Sequence, residues 1–182
     1  MKYIITERQL KLIKEDKIRK IDFEVFNNDW NVLQKFLERR GNPPYIITGD
    51  LDLRNNKTIE SLGNLQSVGG DLALSFSKIK SLGDLQSVGG TLFLTDTNIK
   101  DLGNLQSVGS DLNLYNSNIE SLGNLVSVGG YLFLRNSNIE SLGNLQSVGG
   151  DLYLRNTPLS KTTTEEEIRN MPNLTIRGEI YL

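Results

Sequence analysis

Asp111 and Asp151 are the residues whose type and spacing come nearest to a reaction chemistry. They are two carboxylates at the same place in a repeat, one able to give a proton while the other takes one, as glycoside hydrolysis requires. If the repeats stack at strand spacing, the pair lies two rungs apart, roughly 10 Å, at or beyond the edge of either hydrolysis geometry. The 182 residues include no histidine and no cysteine. That removes the commonest general base, the serine and cysteine triads, thiolate nucleophiles, the usual structural zinc sites and most transition-metal sites. The expectation is a protein that is not an enzyme, with no cofactor and no metal site.

A second set of residues is suited to recognition. Phe93, Tyr115, Tyr131, Phe133, Arg135, Tyr153 and Arg155 recur at outward positions of one strand pattern, and tyrosine and arginine are enriched where interfaces carry most of their binding energy. They form the candidate partner-binding site. The expected partner is a protein. The alternative is a glycan, with Tyr131, Phe133 and Tyr153 stacking on sugar rings, or a purely structural, virion-type role. Against any ligand stands a plainer use of the same rings, stacking in register to strengthen the sheet.

A repeat positions these side chains. From Ser61 the chain reads SLGNLQSVGGDLALSFSKIK, SLGDLQSVGGTLFLTDTNIK, DLGNLQSVGSDLNLYNSNIE, SLGNLVSVGGYLFLRNSNIE and SLGNLQSVGGDLYLRNTPLS, a fixed period that means a solenoid. Upstream GDLDLRNNKTIE is half a coil with one extra residue, and downstream GEIYL repeats the signature. Leu62, Leu65, Val68, Leu72, Leu74 and Ile79 and their equivalents are always apolar and must face inward. The alternation in L-x-L predicts one short strand per coil, paired in parallel with its neighbours. The Gly-Gly pair, as at Gly69 and Gly70, fits a corner needing positive φ or close backbone approach. Ser77, Thr97, Ser117, Ser137 and Thr157 should point inward and bond to turn backbone. The column Asn64, Asp84, Asn104, Asn124 and Asn144 reads as a stacked amide ladder. SLGNLQSVGG is nearly constant between copies, whereas outward positions around L-x-L differ in every coil. Adaptation of that face to a ligand accounts for the contrast, and so does geometric constraint on the turns alone.

The L-x-L-x-N-[ST]-x-I pattern, as in LRNSNI, resembles the leucine-rich repeat, with serine or threonine where asparagine is usual. LGNLQSVGGDLYL is similar to the repeat of receptor L domains, the right-handed β-helices of insulin-receptor-type ectodomains, over residues 49–159. The resemblance implies a mainly β fold, a right-handed parallel β-helix or leucine-rich-repeat-like stack. It implies no ligand, and an extracellular receptor role does not carry over because the disulfide-bonded ends are missing.

The domain reading is an N-terminal cap over residues 1–48, the solenoid over 49–160 and a C-terminal cap over 161–182. In the first cap a short strand is expected at Tyr3 to Ile5 and a helix from a Thr6/Gln9 capping box to about Lys14. A second helix is expected to run from an Asn28 cap to Arg40, burying Trp30, Leu33, Phe36 and Leu37, with Gly41 as its stop. In the last cap Thr164 and Glu167 predict a short helix ending before Pro172. Net charge is −2 with no basic run, which predicts no nucleic-acid partner. With no apolar stretch of signal or spanning length and no cysteine, the expectation is no membrane partner and an intracellular location. The opening MKYIITERQLKLI resembles the starts of marine bacteriophage proteins, which adds the virion as a location.

Overall fold

A computed structural model describes residues 19–182; the strand and helix expected before Lys17 lie outside them. The apolar columns wind about a shared axis and build two sheets, both parallel throughout. The first sheet has eight strands, β1 (Arg19–Ile21), β2 (Tyr45–Ile47), β4 (Leu65–Val68), β6 (Ser87–Val88), β8 (Ser107–Val108), β10 (Ser127–Val128), β12 (Ser147–Val148) and β14 (Thr175–Ile176), paired in that order. The second has seven, β3 (Leu51–Asp52), β5 (Leu72–Ala73), β7 (Leu92–Phe93), β9 (Leu112–Asn113), β11 (Leu132–Phe133), β13 (Leu152–Tyr153) and β15 (Ile180–Tyr181).

Each coil therefore contributes two short strands, not the single one expected. The missed strand is the Ser-Val step before the glycines. Only two of its residues are extended in most coils, too few for an alternating pattern to show. Isolated bridges between Ser61 and Ser81 and between Asp101 and Ser121 continue the pairing on a third side.

Leu72, Leu74, Ile79, Leu112, Leu114 and Ile119 have no exposed surface. They meet their counterparts on the rungs above and below, so each coil's burial depends on its neighbours. The hydroxyl column does face inward: Thr97, Ser117, Ser137 and Thr157 each donate to the leucine carbonyl three residues back, at 2.7–2.8 Å. These bonds satisfy hydroxyls that burial would otherwise penalise.

The glycine pair owes its composition to close approach. A Cβ on Gly89, Gly109, Gly129 or Gly149 would sit well inside 3.0 Å of the preceding rung's glycine carbonyl oxygen. Positive φ falls elsewhere, at Gly63, Gly83, Gly103, Gly123 and Gly143 in the L-G-N turn. The asparagines of that turn form no ladder among themselves. Asn124 and Asn144 donate to the Gly103 and Gly123 carbonyls one rung back, at 2.9 and 3.3 Å, and Asn64 donates to the Asn42 carbonyl.

At the N-terminal end a 3-10 turn (Phe23–Phe26) and α1 (Trp30–Glu38) bury Phe23, Phe26, Trp30, Leu33, Phe36 and Leu37 in the same core as Tyr45 and Ile47. The cap of α1 is Asp29, one residue later than expected: its carboxylate accepts from the Asn31 and Val32 amides, at 2.8 and 3.2 Å. Asn28 is left-handed, at φ 54°, whereas a capping residue sits in the β region. The helix stops at Glu38 and Gly41 follows at φ 76°.

At the other end α2 (Pro158–Thr162) was not foreseen. Thr157, already committed inward, also accepts from the Ser160 amide, and proline sits at the first helical position, where its missing N–H costs nothing. The Thr164/Glu167 capping box opens α3 (Glu165–Arg169), which buries Ile168 completely.

Candidate functional site

The second sheet carries all seven candidate residues on or beside its outer side, and it brings three of them, Tyr131, Phe133 and Tyr153, into ring contact. Phe133 and Tyr153 are cross-strand partners on β11 and β13, and Tyr153 pairs onward with Tyr181 of β15. In-register parallel strands hold equivalent side chains about 4.8 Å apart, and the rings adopt that spacing. Phe133 stacks on Tyr153 at 4.8 Å between centroids and 12° between planes, and Tyr153 on Tyr181 at 4.7 Å and 7°. Tyr131, at the head of β11, leans on Phe133 at 6.0 Å and 53°. Such contacts contribute about 0.5–1.5 kcal/mol each beyond burial.

Tyr131 is 44 % exposed, and Arg135 and Arg155 are exposed along the same margin. Among the described residues neither arginine is in an ion pair. Phe93 stands apart, because Asn113 occupies the rung between it and Phe133. The Asn113 side chain accepts from the Tyr115 amide at 3.0 Å and from the Thr95 hydroxyl at 3.1 Å. Tyr115, 41 % exposed, projects beside this break.

The aspartates of this face tie rungs together. Asp71, Asp111 and Asp151 each accept, through Oδ1, the backbone N–H that begins the next strand turn, from Thr91, Tyr131 and Glu179 at 2.7, 2.8 and 2.9 Å. Asp50 does the same for Asp71 at 2.8 Å. Asp151 also accepts from the Tyr153 hydroxyl at 3.0 Å, and that bond pushes the phenol's pKa above its ordinary value. The carboxylates that came nearest to a reaction chemistry are thus engaged in holding the stack. Among the described residues no group of three or more acidic side chains is arranged to hold a metal ion, and no helix is long and apolar enough to cross a membrane.

Two features of this face escaped sequence reasoning. Tyr181 completes the ring stack, and the GEIYL signature placed it in register with Tyr153. Phe76 occupies the turn position held elsewhere by Asn55, Asp96, Asn116, Asn136 and Asn156; it adopts their left-handed conformation, at φ 59°, and is 49 % exposed. With Phe93, Thr95 and Arg54 it walls a groove of about 400 Å³ over Ala73 and Ser75. These two residues are outward by register but only 9 % and 6 % exposed. Arg54 is joined to Asp52 at 2.6 Å, and that hydrogen bond holds the Asp52 carboxyl below its ordinary pKa.

Compared with known proteins, the chain matches no family model, no curated protein and no solved structure.

Proposed function

We propose that the protein is a non-catalytic interaction module that docks a protein partner on the outer side of the second sheet, centred on Phe133 and Tyr153. The observation that carries this reading is the Phe133–Tyr153–Tyr181 stack, with exposed Tyr131 at its head and unpaired Arg135 and Arg155 beside it. Rings locked in register have already lost their rotamer freedom, so a partner closing on them spends little further ordering entropy. The two guanidiniums favour a partner that brings carboxylates to the margin of the apolar ridge.

A glycan is the weaker occupant. Sugars stack on open ring faces, and both faces of Tyr153 are covered, one by Phe133 and one by Tyr181. What this part of the face offers is largely ring edges. We also read the coils as kin to the leucine-rich repeat and receptor L-domain repeats, on the strength of L-x-L-x-N-[ST]-x-I and LGNLQSVGGDLYL.

The test is affinity capture from the native host with the wild-type chain and with the Phe133→Ala/Tyr153→Ala double variant, each shown to be folded by circular dichroism, beside a glycan array. The expected result is a defined protein retained by the wild type, cross-linked at residues of this face and lost from the variant. Retention unchanged in the folded variant, or a glycan as the only ligand, overturns the reading.

A further inference from the structure

The two sheets differ by one strand. Among the described residues the first continues past β2 to β1, whereas after β1 the chain leads into the Phe23–Phe26 turn and the second sheet ends at β3. The result is a solvent-open notch of about 1030 Å³ between that turn and β3, lined among others by Asp22, Glu24, Asp50, Asp52, Arg54 and Phe76.

The edge of β3 is fitted for pairing. The Leu51, Leu53 and Asn55 amides donate to the Asp71, Ala73 and Ser75 carbonyls at 2.8, 2.8 and 3.0 Å. By strand alternation the Asp52 N–H and C=O point the other way, into the notch. The interior behind β3 is already filled, since Leu51, Leu53 and Phe23 are all buried, so an added strand needs only small side chains inward. Outward it would meet the carboxylates of Asp22, Glu24, Asp50 and Asp52, of which Asp52 is already paired with Arg54. These four stand against two cations, the Arg54 guanidinium and the Lys57 ammonium. The same charges set a second copy of β3 against itself, because two such edges would bring like charges opposite one another. At the open side stands the Phe76 ring, with its turn tied down by Lys57, whose ammonium donates to the Phe76 carbonyl at 2.7 Å.

We infer that the notch is a docking slot for an extended, basic segment of a partner protein, which adds to the second sheet as its eighth strand. Main-chain hydrogen bonds to the Asp52 edge supply the pairing, lysine or arginine side chains on the outer side meet the carboxylates, and their stems lie along Phe76. The slot is separate from the ring stack and stands or falls without it.

The probe is a fluorescently labelled seven-residue peptide of alternating lysine and threonine, titrated into the full chain and followed by anisotropy. Saturable binding is expected. It should weaken about tenfold or more with Asp52→Lys, and equally when the peptide's alternate amides are N-methylated, a change that removes edge hydrogen bonds and leaves charge intact. The Phe133→Ala/Tyr153→Ala variant should bind the peptide as the wild type does. Three outcomes overturn the inference: no saturable binding, equal affinity for the N-methylated peptide, or cross-links that place residues 1–18 of the chain itself in the notch with no displacement by the peptide.

Discussion

The two sheets follow the same rungs, yet one has an outer surface that hardly changes from coil to coil and the other has one that changes everywhere. The difference lies in what each outward residue touches. On the constant side the residue that opens each coil is tied to its own turn, and several amides are tied to the rung before. Ser81, Ser121 and Ser141 accept from the amides of Gly83, Gly123 and Gly143 at 3.0–3.1 Å, and Gln86 donates to Gln66 at 2.9 Å. The first glycine of each pair leaves no room for a methyl group. On the variable side the aspartates that precede some strands also reach the next rung, but the alternate residues within the strands project into solvent or against the equivalent residue one rung away, and the pairing does not prescribe what they are. Constancy is a packing requirement. The variation opposite therefore says nothing about a ligand, and the case for binding rests on the particular residues found there.

A pair of one-atom-scale changes breaks this comparison if it is wrong. Gly129→Ala puts a methyl against the Gly109 carbonyl oxygen; the rungs must separate locally, at a cost of about 3 kcal/mol. Thr95→Ala, on the variable side, gives up one hydroxyl bond to Asn113 and should cost less than about 1 kcal/mol. Urea denaturation followed by circular dichroism measures both, and costs of similar size would show that the constant side is not held by packing.

The second glycine sharpens the argument, because its requirement comes from the variable side. A Cβ on Gly90 or Gly130 would collide with the carboxylate of Asp71 or Asp111 on the rung before. Ser110 is the exception in its column, and it follows Thr91, which has no such carboxylate. Gly130→Ser should cost about 2 kcal/mol, and in an Asp111→Thr background most of that cost should vanish. A double-mutant cycle reads the coupling directly. Additive costs would mean that Ser110 is tolerated for some other reason.

Much of this architecture was legible because the repeat writes each constraint several times. The inward leucines, the hydroxyl column and the Thr164/Glu167 box follow from residue type and spacing alone. The Ser-Val strand was not legible, since two extended residues leave no periodicity, and neither was the cap at Asp29, where Asn28 and Asp29 are both competent and backbone conformation decides between them. The ring stack was partly legible. Phe133 and Tyr153 share a column in the sequence, but the covering of both Tyr153 faces is a matter of rotamers that no spacing encodes. The notch was hidden altogether, because it lies where the described residues give the second sheet no strand to match β1.

Phe76 is the place where the two kinds of surface meet. Its column is a turn position that calls for φ near 60°, which asparagine and aspartate adopt at small cost and a bulky side chain adopts only with strain. Every other rung of the column obeys that preference. Replacing Phe76 with asparagine should therefore leave the fold intact and raise its stability by up to about 1 kcal/mol. If the ring serves the slot beside β3, the same variant should bind the lysine-threonine peptide more weakly while becoming no less stable. A loss of stability in the denaturation curve would instead make Phe76 a packing residue, and the strained turn would need no functional reason.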